Sequence, residues 1–198
     1  EVDLDSVGWT EIGGVHYRTD HDLKGHQEIS KQNLSIIDEE TKQKFIPHVL
    51  ELSFGVDRNI QTLLTFAYHF DEKRQNIILK LHPMLAPIKS AVFPIVKQLA
   101  YEKLAEQIIN DLKKEFNVVY DKSGSIGRRY ARNDEIGTPY CITIDEFSSK
   151  QHDITIRERD TTQQIRVKIK NLREILKKLI DKEISFNKVG KKVETRVK

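Results

Sequence analysis

The apolar and polar positions of the first 85 residues predict two strands followed by one amphipathic helix. Residues 9–17 (WTEIGGVHY) form the first strand, with a Gly-Gly irregularity, and residues 45–54 (FIPHVLELSF) form the second. From Asp57 to about Phe70 the apolar residues recur at helical spacing. The charged run at 71–76 that follows is typical of an exposed turn or a helix end.

The rest of the chain alternates between strand patterns and helix patterns. The predicted strands lie within 88–96, 117–121, 139–145, 153–159 and 164–169, and the predicted helices within 99–116, 128–137 and 172–181. Strands interleaved with helices predict a small α/β domain with a mixed sheet.

Two details of this second half can be predicted from single positions. The segment 139–145 is almost wholly apolar and the segment 153–159 alternates, which predicts an inner strand and an outer strand. Asn171 precedes the last helix and Glu174 follows it by three residues, so this pair predicts a capping box.

The segment HPMLAP, with its two prolines, is the predicted domain boundary. The balance of charge changes sign there: residues 1–85 carry 9 Lys and Arg against 14 Asp and Glu, and residues 86–198 carry 24 against 16. We therefore predict domains at 1–85 and 86–182, followed by a basic tail at 183–198. A basic half is typical of a surface that meets a polyanion, although Lys-rich helices also serve solubility alone.

Composition narrows the class of protein. A single cysteine, Cys141, excludes an internal disulfide framework and fits a reducing compartment. No apolar run approaches the roughly 20 residues that span a bilayer. We expect a soluble, cytoplasmic protein that does not associate with a membrane. Because the chain opens on Glu1 without a leading Met, we also expect it to be a fragment.

The segment VLELSFGVDR, residues 49–58, carries the strongest candidate chemistry. It reads as an apolar strand, a short turn and an Asp-Arg pair that opens a helix, so Glu51, Ser53 and Arg58 follow one path from strand to helix. Carboxylates such as Glu11 and Glu51 can hold an ammonium group or Mg²⁺, and an arginine fork matches phosphate oxygens. The alternative is that these are ordinary polar residues of an edge strand and a helix end.

Several segments, taken in order, resemble glycyl-tRNA synthetase, a class II aminoacyl-tRNA synthetase. The string GWTEIGGVHYRTDHDLKGHQ is similar to a family segment at Gly8, Glu11, Gly14, Arg18, Thr19, Asp20, Asp22, Leu23 and His26. PHVLELSFGVDR resembles motif 3 of this family, and LKLHPMLAPIKSAVFPIVK resembles its join into the anticodon-binding domain. YDKSGSIGRRYARNDEIGTPYCITID and TIRERDTTQQIRVKI resemble that domain itself.

The resemblance implies a fold in two parts and an enzyme activity. The fold is α+β and α/β: the C-terminal part of an antiparallel class II catalytic domain, including motif 3, followed by an α/β anticodon-binding domain with a mixed sheet. The implied activity is glycine–tRNA ligase, which uses ATP to activate glycine and transfers it to tRNA-Gly. The implied cofactors are ATP and Mg²⁺, and the full-length protein is expected to be a homodimer.

Residue roles follow from the matched positions. The residues implied to bind glycine are Glu51, Ser53 and Gly55. The residues implied to bind ATP are Glu11, Ile12, Gly55, Val56, Asp57 and Arg58, with Arg58 near the γ-phosphate. Glu11 is also implied to contact Mg²⁺ through ATP. No residue is assigned a catalytic role of its own.

The chain departs from the family pattern in three ways. Leu52 stands where the family has proline, and the long insertion of the archaeal and eukaryotic form is missing, so the chain is closest to the compact bacterial dimeric type. Motifs 1 and 2 are absent, and motif 2 carries the arginine that grips the α-phosphate. We therefore expect this fragment to be inactive by itself.

A second candidate region is the basic segment KSGSIGRRYARND. Arg128 and Arg132 share one helical face, and Tyr130 is expected to be able to stack on an unpaired base. The resemblance implies anticodon contacts on this face, with Arg128, Arg129, Tyr130 and Arg132 as candidates. The alternative is that the arginines pair with Asp134 and Glu135 and that Tyr130 belongs to the core.

One rival function remains open at this point. The accessory subunit of the mitochondrial DNA polymerase resembles these synthetases and binds nucleic acid without catalysis. Retention of Glu11, Glu51, Ser53 and Arg58 favours the enzyme, whereas Leu52 favours the rival slightly.

Overall fold

A computed structural model describes residues 1–5 and 7–193, and the residues group into two compact units. The first unit is Glu1–Thr65, and the second begins at Phe66. Each unit is described by itself below.

The first unit contains short strands and two helices. In chain order these are β1 (Val2–Asp3), β2 (Trp9–Thr10), β3 (Gly13–Thr19), α1 (His21–Ser30), β4 (Ile36–Ile37), β5 (Lys44–Phe45), β6 (Val49–Phe54) and α2 (Val56–Ala67). Each of the two predicted strands is thus broken into two pieces. The main pairing is antiparallel, between β3 and β6, and it places Gly14 opposite Ser53 and His16 opposite Glu51.

Helix α2 is shorter than the sequence predicts. It ends at Ala67, and the next residues form β7 (Tyr68–Asp71), which pairs with β8 (Asn76–Leu79) in a hairpin. The prediction of helix to about Phe70 is therefore wrong at its end. The charged run that the sequence assigns to a turn is the turn of this hairpin.

The pair β3–β6 has one polar face and one apolar face. Residues Leu50, Leu52 and Phe54 alternate with Glu51 and Ser53 along β6, as the period of two in a strand requires. The apolar face is open: Leu52 is 64% exposed and Phe54 68% exposed. Among the described residues of this unit, Leu4 is the one buried hydrophobic residue. The first unit therefore has almost no hydrophobic core of its own.

The second unit continues from the hairpin into an α/β domain. Its further elements are β9 (Ser90–Pro94), α3 (Leu99–Leu112), β10 (Val118–Tyr120), α4 (Ile126–Glu135), β11 (Tyr140–Ile144), α5 (Glu146–Gln151), β12 (Asp153–Glu158), β13 (Gln164–Lys168), α6 (Leu172–Ile180) and β14 (Lys191–Lys192). Two 3₁₀ turns, Ile169–Asn171 and Phe186–Lys188, flank α6.

Six strands form one mixed sheet in the order β10-β9-β11-β12-β13-β14. The pairs of β9 with β10 and with β11 are parallel, and the remaining pairs are antiparallel. The prediction of a small α/β domain with a mixed sheet is confirmed.

The two faces of this sheet carry separate parts of the core. On one face, Val92 and Ile142 pack with Ile108 and Leu112 of α3 and with Leu176 of α6. On the other face, Phe93 and Cys141 pack with Ile126 and Tyr130 of α4. Helices α3 and α4 therefore lie on opposite faces of the sheet.

Two detailed predictions for this unit are wrong. Strand β12 lies between β11 and β13 with its four central residues buried, so it is an inner strand. The alternation of polar and apolar residues in β12 suggests an outer strand, but its polar residue Arg157 is buried and forms an ion pair with Asp134. Asn171 makes no capping hydrogen bond, since the 3₁₀ turn runs directly into α6, and Glu174 pairs with Lys178 at 2.7 Å instead.

The structure groups residues 66–85 with the α/β domain, whereas the sequence places the boundary at 85/86. The reason is a set of polar contacts from the β7–β8 hairpin. Arg74 donates to the Arg159 carbonyl at 2.9 Å and lies 3.3 Å from the Asp134 carboxylate. Asn76 donates to the Ala131 carbonyl at 3.1 Å. A charged hairpin gives no hint of this packing from sequence alone.

The predicted tail at 183–198 is in part an element of the sheet. Strand β14 pairs with β13 through Lys191 opposite Arg166 and Lys192 opposite Ile165. The prediction for residues 194–198 lies outside the described residues.

Candidate functional site

A cleft of about 650 Å³ opens in the first unit where β6 turns into α2. Its lining residues are Glu11, Ile12, Gly13, Ser53, Phe54, Gly55, Val56, Asp57 and Arg58. All six residues that the resemblance implies for ATP line this one cleft, together with Ser53. Two segments that lie about 40 residues apart in the chain thus meet here because β3 and β6 are paired.

Two side chains at the start of α2 tie the segment at Glu11 to the β6–α2 corner. Arg58 donates from Nη1 to the Glu11 carbonyl at 3.0 Å. Asn59 donates from Nδ2 to the Ile12 carbonyl at 2.8 Å and to the Gly55 carbonyl at 2.8 Å. The Arg58 bond uses only the backbone of Glu11. The Glu11 residue is exposed, and its carboxylate forms no ion pair with any residue that the structure describes.

Glu51 is held beside the cleft by contacts to both of its carboxylate oxygens. Ser53 donates to Oε1 at 2.8 Å, and Arg18 Nε lies 3.5 Å from Oε2. Glu51 does not line the cleft itself and reaches it through Ser53. The polar face of β6 therefore leads from Glu51 to Ser53 and on to the cleft.

Arg18 occupies a break in the strand pairing. The register of β3 and β6 shifts between Tyr17 and Thr19, so Arg18 is the unpaired residue of a β-bulge. Because His16 pairs with Glu51 and residues two apart share one face of a strand, Arg18 lies on the same face as Glu51. From this position Arg18 makes a two-pronged ion pair with Asp22, and its hydrogen bond holds the pKa of the Asp22 carboxyl below its usual range.

Sequence reasoning missed the roles of Arg18, Asp22 and Asn59. Arg18 and Asp22 enter it only as letters of a matched string, although their spacing of four residues is a signal for an ion pair. The role of Asn59 cannot be recognised in a single sequence, because its hydrogen bond to the Ile12 carbonyl joins residues that are 47 positions apart.

The charges around this site suit an ammonium group at one end and phosphate at the other. One guanidinium between Asp22 and Glu51 leaves one net negative charge, which can attract a cationic amino group. Arg58 at the helix start offers donors to an anion, and the start of a helix favours negative charge.

The local backbone does not itself require glycine at position 55. A Cβ there would meet the Arg58 side chain at 3.6 Å, which is ordinary contact. Leu52 lies on the apolar face of β6, opposite to Ser53, so its side chain points away from the cleft.

The basic segment of the second unit is used largely for internal contacts. Arg129 is buried and donates to the carbonyls of Pro94 at 2.5 Å and Gly124 at 2.8 Å, which ties the loop after β10 to the end of β9. The Tyr130 hydroxyl lies 2.6 Å from Thr143 Oγ1, and burial raises the pKa of Tyr130. The Tyr130 ring packs between Phe93 and the Arg157 guanidinium. Its ring is therefore not free to stack on a base, contrary to the expectation from sequence.

The other two arginines of this segment face outward. Arg132 pairs with Asp121 and donates to the Ser123 carbonyl at 2.8 Å. Arg128 is exposed and forms no ion pair among the described residues. Asp134 pairs with Arg157 at 2.8 Å and not with any arginine of its own helix. The alternative pairing with Asp134 is therefore wrong.

No helix within residues 1–5 and 7–193 is long and apolar enough to cross a membrane. In the same part of the chain, no three His, Cys, Asp or Glu side chains form a cluster that could hold a metal ion.

Comparison with known proteins defines the class first. Residues 89–179 match the family model described as "Anticodon binding domain". These residues comprise the six-stranded sheet without β14, together with α3, α4, α5 and nearly all of α6. The α/β domain thus matches this family, in agreement with the resemblance.

The curated relatives give the particular kind of protein that this chain resembles. It is 48% identical over 164 residues to the glycine–tRNA ligase of Caldanaerobacter subterraneus subsp. tengcongensis, a match covering 82% of this chain and 35% of the relative. It is 44% identical over 176 residues to that of Clostridium acetobutylicum, covering 87% of this chain and 38% of the relative. It is 44% identical over 171 residues to that of Corynebacterium glutamicum, covering 83% and 37%. The resemblance to glycyl-tRNA synthetases is confirmed, and the chain spans little more than a third of these relatives.

Proposed function

We propose that this chain is a part of a glycine–tRNA ligase, an enzyme that uses ATP to activate glycine and transfers the glycyl group to tRNA-Gly. The observation that carries the proposal is the single cleft that joins Glu11 to the segment Ser53–Arg58, in a chain that also carries an anticodon-binding domain. The relatives compared above are named as ligases, which favours the ligase over a non-catalytic accessory subunit.

In this function the polar face of β6 receives the amino acid. The Glu51 carboxylate, fixed on one oxygen by Ser53 and on the other by Arg18, accepts the ammonium group of glycine. Ser53 lies at the edge of the cleft and holds the other end of the amino acid near the nucleotide.

The corner at Gly55–Arg58 receives ATP. Backbone amides at the start of α2 and the Arg58 guanidinium are donors for phosphate oxygens, with Arg58 near the γ-phosphate. The carbonyl contacts of Arg58 and Asn59 keep this corner against Ile12, which borders the nucleotide. These contacts fix the corner that receives ATP, and positioning of the substrates is a main contribution of such sites.

Mg²⁺ fits this site as an ion shared with the nucleotide. Glu11 lines the cleft, and its carboxylate forms no ion pair within residues 1–5 and 7–193; Mg²⁺ is usually held by one or two carboxylates together with substrate phosphates. When bound, the ion neutralises phosphate charge in the transition state.

The remaining parts of the ligase belong to the rest of the polypeptide. The first unit supplies the C-terminal part of a class II catalytic domain, the second unit supplies the anticodon-binding domain, and the complete protein is a cytoplasmic homodimer. Motifs 1 and 2 are not in this chain, so the chain by itself forms no glycyl-adenylate.

A chimeric enzyme tests the catalytic half of the proposal. The chain replaces the matching segment of the Caldanaerobacter relative, and glycine-dependent exchange of pyrophosphate into ATP is measured. We expect activity in the chimera, a large loss with Arg58→Ala, and none with the 198-residue chain alone. The proposal is contradicted if the folded chimera has no activity, or if Arg58→Ala leaves its activity unchanged.

A further inference from the structure

The two consecutive glycines at the start of β3 have a structural role in its pairing with β6. Gly13 lies opposite Phe54, and Gly14 lies opposite Ser53. Neither glycine has a positive φ, so the backbone conformation at these two positions does not require glycine. What the two glycines provide is therefore the space that a Cβ atom would otherwise take.

Two aromatic rings occupy this space, one on each face of the strand pair. A Cβ at position 13 would lie 2.6 Å from Cδ1 of Phe54, and a Cβ at position 14 would lie 2.9 Å from Cε1 of His16. Non-bonded carbon atoms are most stable about 3.5–4.0 Å apart, so both rings stand where a larger residue would clash. The Phe54 ring covers Gly13 on the apolar face, and the His16 ring covers Gly14 on the polar face.

The His16 ring lies beside the two residues proposed to bind glycine. His16 is opposite Glu51 in the strand register, and Gly14, which the ring covers, is opposite Ser53. Opposite residues of an antiparallel pair have Cβ atoms about 4.5–5.5 Å apart. The imidazole is therefore a neighbour of both residues on the same face of the sheet.

Glu51 and Ser53 together define where the α-carbon of a bound amino acid lies. Ser53 donates to Oε1 of Glu51 at 2.8 Å, so the two side chains are held together. An amino acid whose ammonium group binds Glu51 and whose other end lies at Ser53 has its α-carbon between them. Across the strand pair, the side chain nearest to that α-carbon is the His16 ring.

We propose that His16 is a specificity-determining residue, whose ring over Gly14 fills the space that the side chain of an amino acid larger than glycine would occupy. This role rests on the proposed function and adds a basis for choosing glycine. Glu51 and Ser53 bind groups that glycine shares with alanine, so they discriminate little between the two. Exclusion of one methyl group can change kcat/KM by about 10- to 200-fold.

The test uses the chimeric ligase and measures pyrophosphate exchange with glycine and with L-alanine in turn. His16→Ala is expected to lower the ratio of kcat/KM for glycine to kcat/KM for alanine by about tenfold or more, mainly through a gain with alanine. His16→Phe keeps a ring without its polar atoms and is expected to keep the wild-type ratio. The matched control is His69→Ala, which removes an exposed histidine of β7 and should leave the ratio unchanged.

A double-mutant cycle tests the position of the ring. Gly14→Ala should lower kcat/KM for glycine in the otherwise wild-type chimera, because the new methyl group displaces the His16 ring. It should do so much less when combined with His16→Ala, because the space above position 14 is then empty. Additive effects of the two substitutions would contradict the placement of the ring.

The outcomes distinguish the role of His16 from the proposed function. If the chimera uses glycine and His16→Ala leaves the ratio unchanged, or lowers both kcat/KM values equally, the role of His16 is wrong and the ligase function stands. If the folded chimera does not activate glycine, the proposed function fails and the role of His16 fails with it.

Discussion

Arg18 lies 3.5 Å from the Glu51 carboxylate while it also holds Asp22 in a two-pronged ion pair. The three side chains come from a β-bulge, from the paired strand and from the first turn of α1. Arg18 therefore connects the carboxylate proposed to bind glycine to a second acidic group that fixes its own position.

The Arg18–Glu51 contact predicts a selective effect on glycine. In the chimeric ligase, Arg18→Ala should raise the KM for glycine by about tenfold and change the KM for ATP much less, since a charge-assisted contact to Glu51 is lost. Arg18→Lys should restore part of the affinity because it keeps the charge but not the fork. Steady-state kinetics with each substrate varied in turn measures both values. An equal change in the two KM values would contradict this role.

A variant of Asn59 distinguishes residues that support the cleft from residues that contact the ligand. Asn59→Ala removes the bonds to the Ile12 and Gly55 carbonyls but leaves Arg58 in place. We expect the KM for ATP to rise several-fold because the corner loosens, whereas Arg58→Ala should also lower kcat. Gln61→Ala, two residues further along the same helix and outside the cleft lining, is the control. A wild-type KM for ATP in the Asn59 variant would contradict the role of these hydrogen bonds in holding the cleft.

Removal of one member of a buried ion cluster should strongly destabilise the second unit. Asp134 is 1% exposed and pairs with Arg157 and Arg74. Asp134→Ala leaves buried positive charge unpaired, which typically costs about 3–5 kcal/mol. Glu146→Ala breaks the exposed pair with Lys150 and should change the stability far less, because exposed ion pairs contribute little. Urea denaturation of both variants gives the comparison, and similar midpoints would contradict the burial of the Asp134 cluster.

Cys141 provides a test of the sheet interior. Burial raises the pKa of the Cys141 thiol, so the thiolate that reacts with alkylating reagents is scarce in the native protein. This cysteine is the one thiol in the sequence, so mass spectrometry reports it without ambiguity. We expect iodoacetamide at pH 8 to modify the unfolded chain at least a hundredfold faster than the native chain. Rapid labelling under native conditions would mean that β11 is not in the core.

The two units should differ in their ability to fold alone. The second unit has continuous core packing on both faces of its sheet, and the first has one buried hydrophobic residue among those described. A two-stranded sheet with an open apolar face is marginal in water. Residues 66–193 are expected to unfold cooperatively, and residues 1–65 to lack a cooperative transition in circular dichroism. A cooperative transition in the isolated first unit would contradict this account.

The sequence predicts the sheet domain well because its core follows simple periodicity. The apolar segment at 139–145 and the helix at 99–116 each correspond to an element of the structure. The β12 prediction fails because Arg157 is polar in sequence yet buried in an ion pair with Asp134, and these residues are far apart in the chain. Burial of a charge through a distant partner leaves no local pattern.

The sequence predicts the part of the candidate site that lies in one continuous segment, from the end of β6 to the start of α2. Ser53 through Arg58 are consecutive, and the turn between them needs no distant information. Arg18 requires knowledge of the β3–β6 register that places it on the same face as Glu51, and Asn59 requires the pairing that brings Ile12 close. Tyr130 shows the opposite failure, since its helical spacing alone does not reveal the Phe93 and Arg157 side chains that enclose it.

The most direct test of the central claim compares binding of the 198-residue chain to tRNA-Gly with binding to the same tRNA carrying a changed anticodon, across a salt series. Phosphate contacts alone would give both RNAs the same affinity and the same salt slope. We expect tRNA-Gly to bind at least tenfold more tightly at every salt concentration, with parallel slopes. Equal affinity for the two RNAs would contradict the assignment of this chain to a ligase that reads the anticodon of tRNA-Gly.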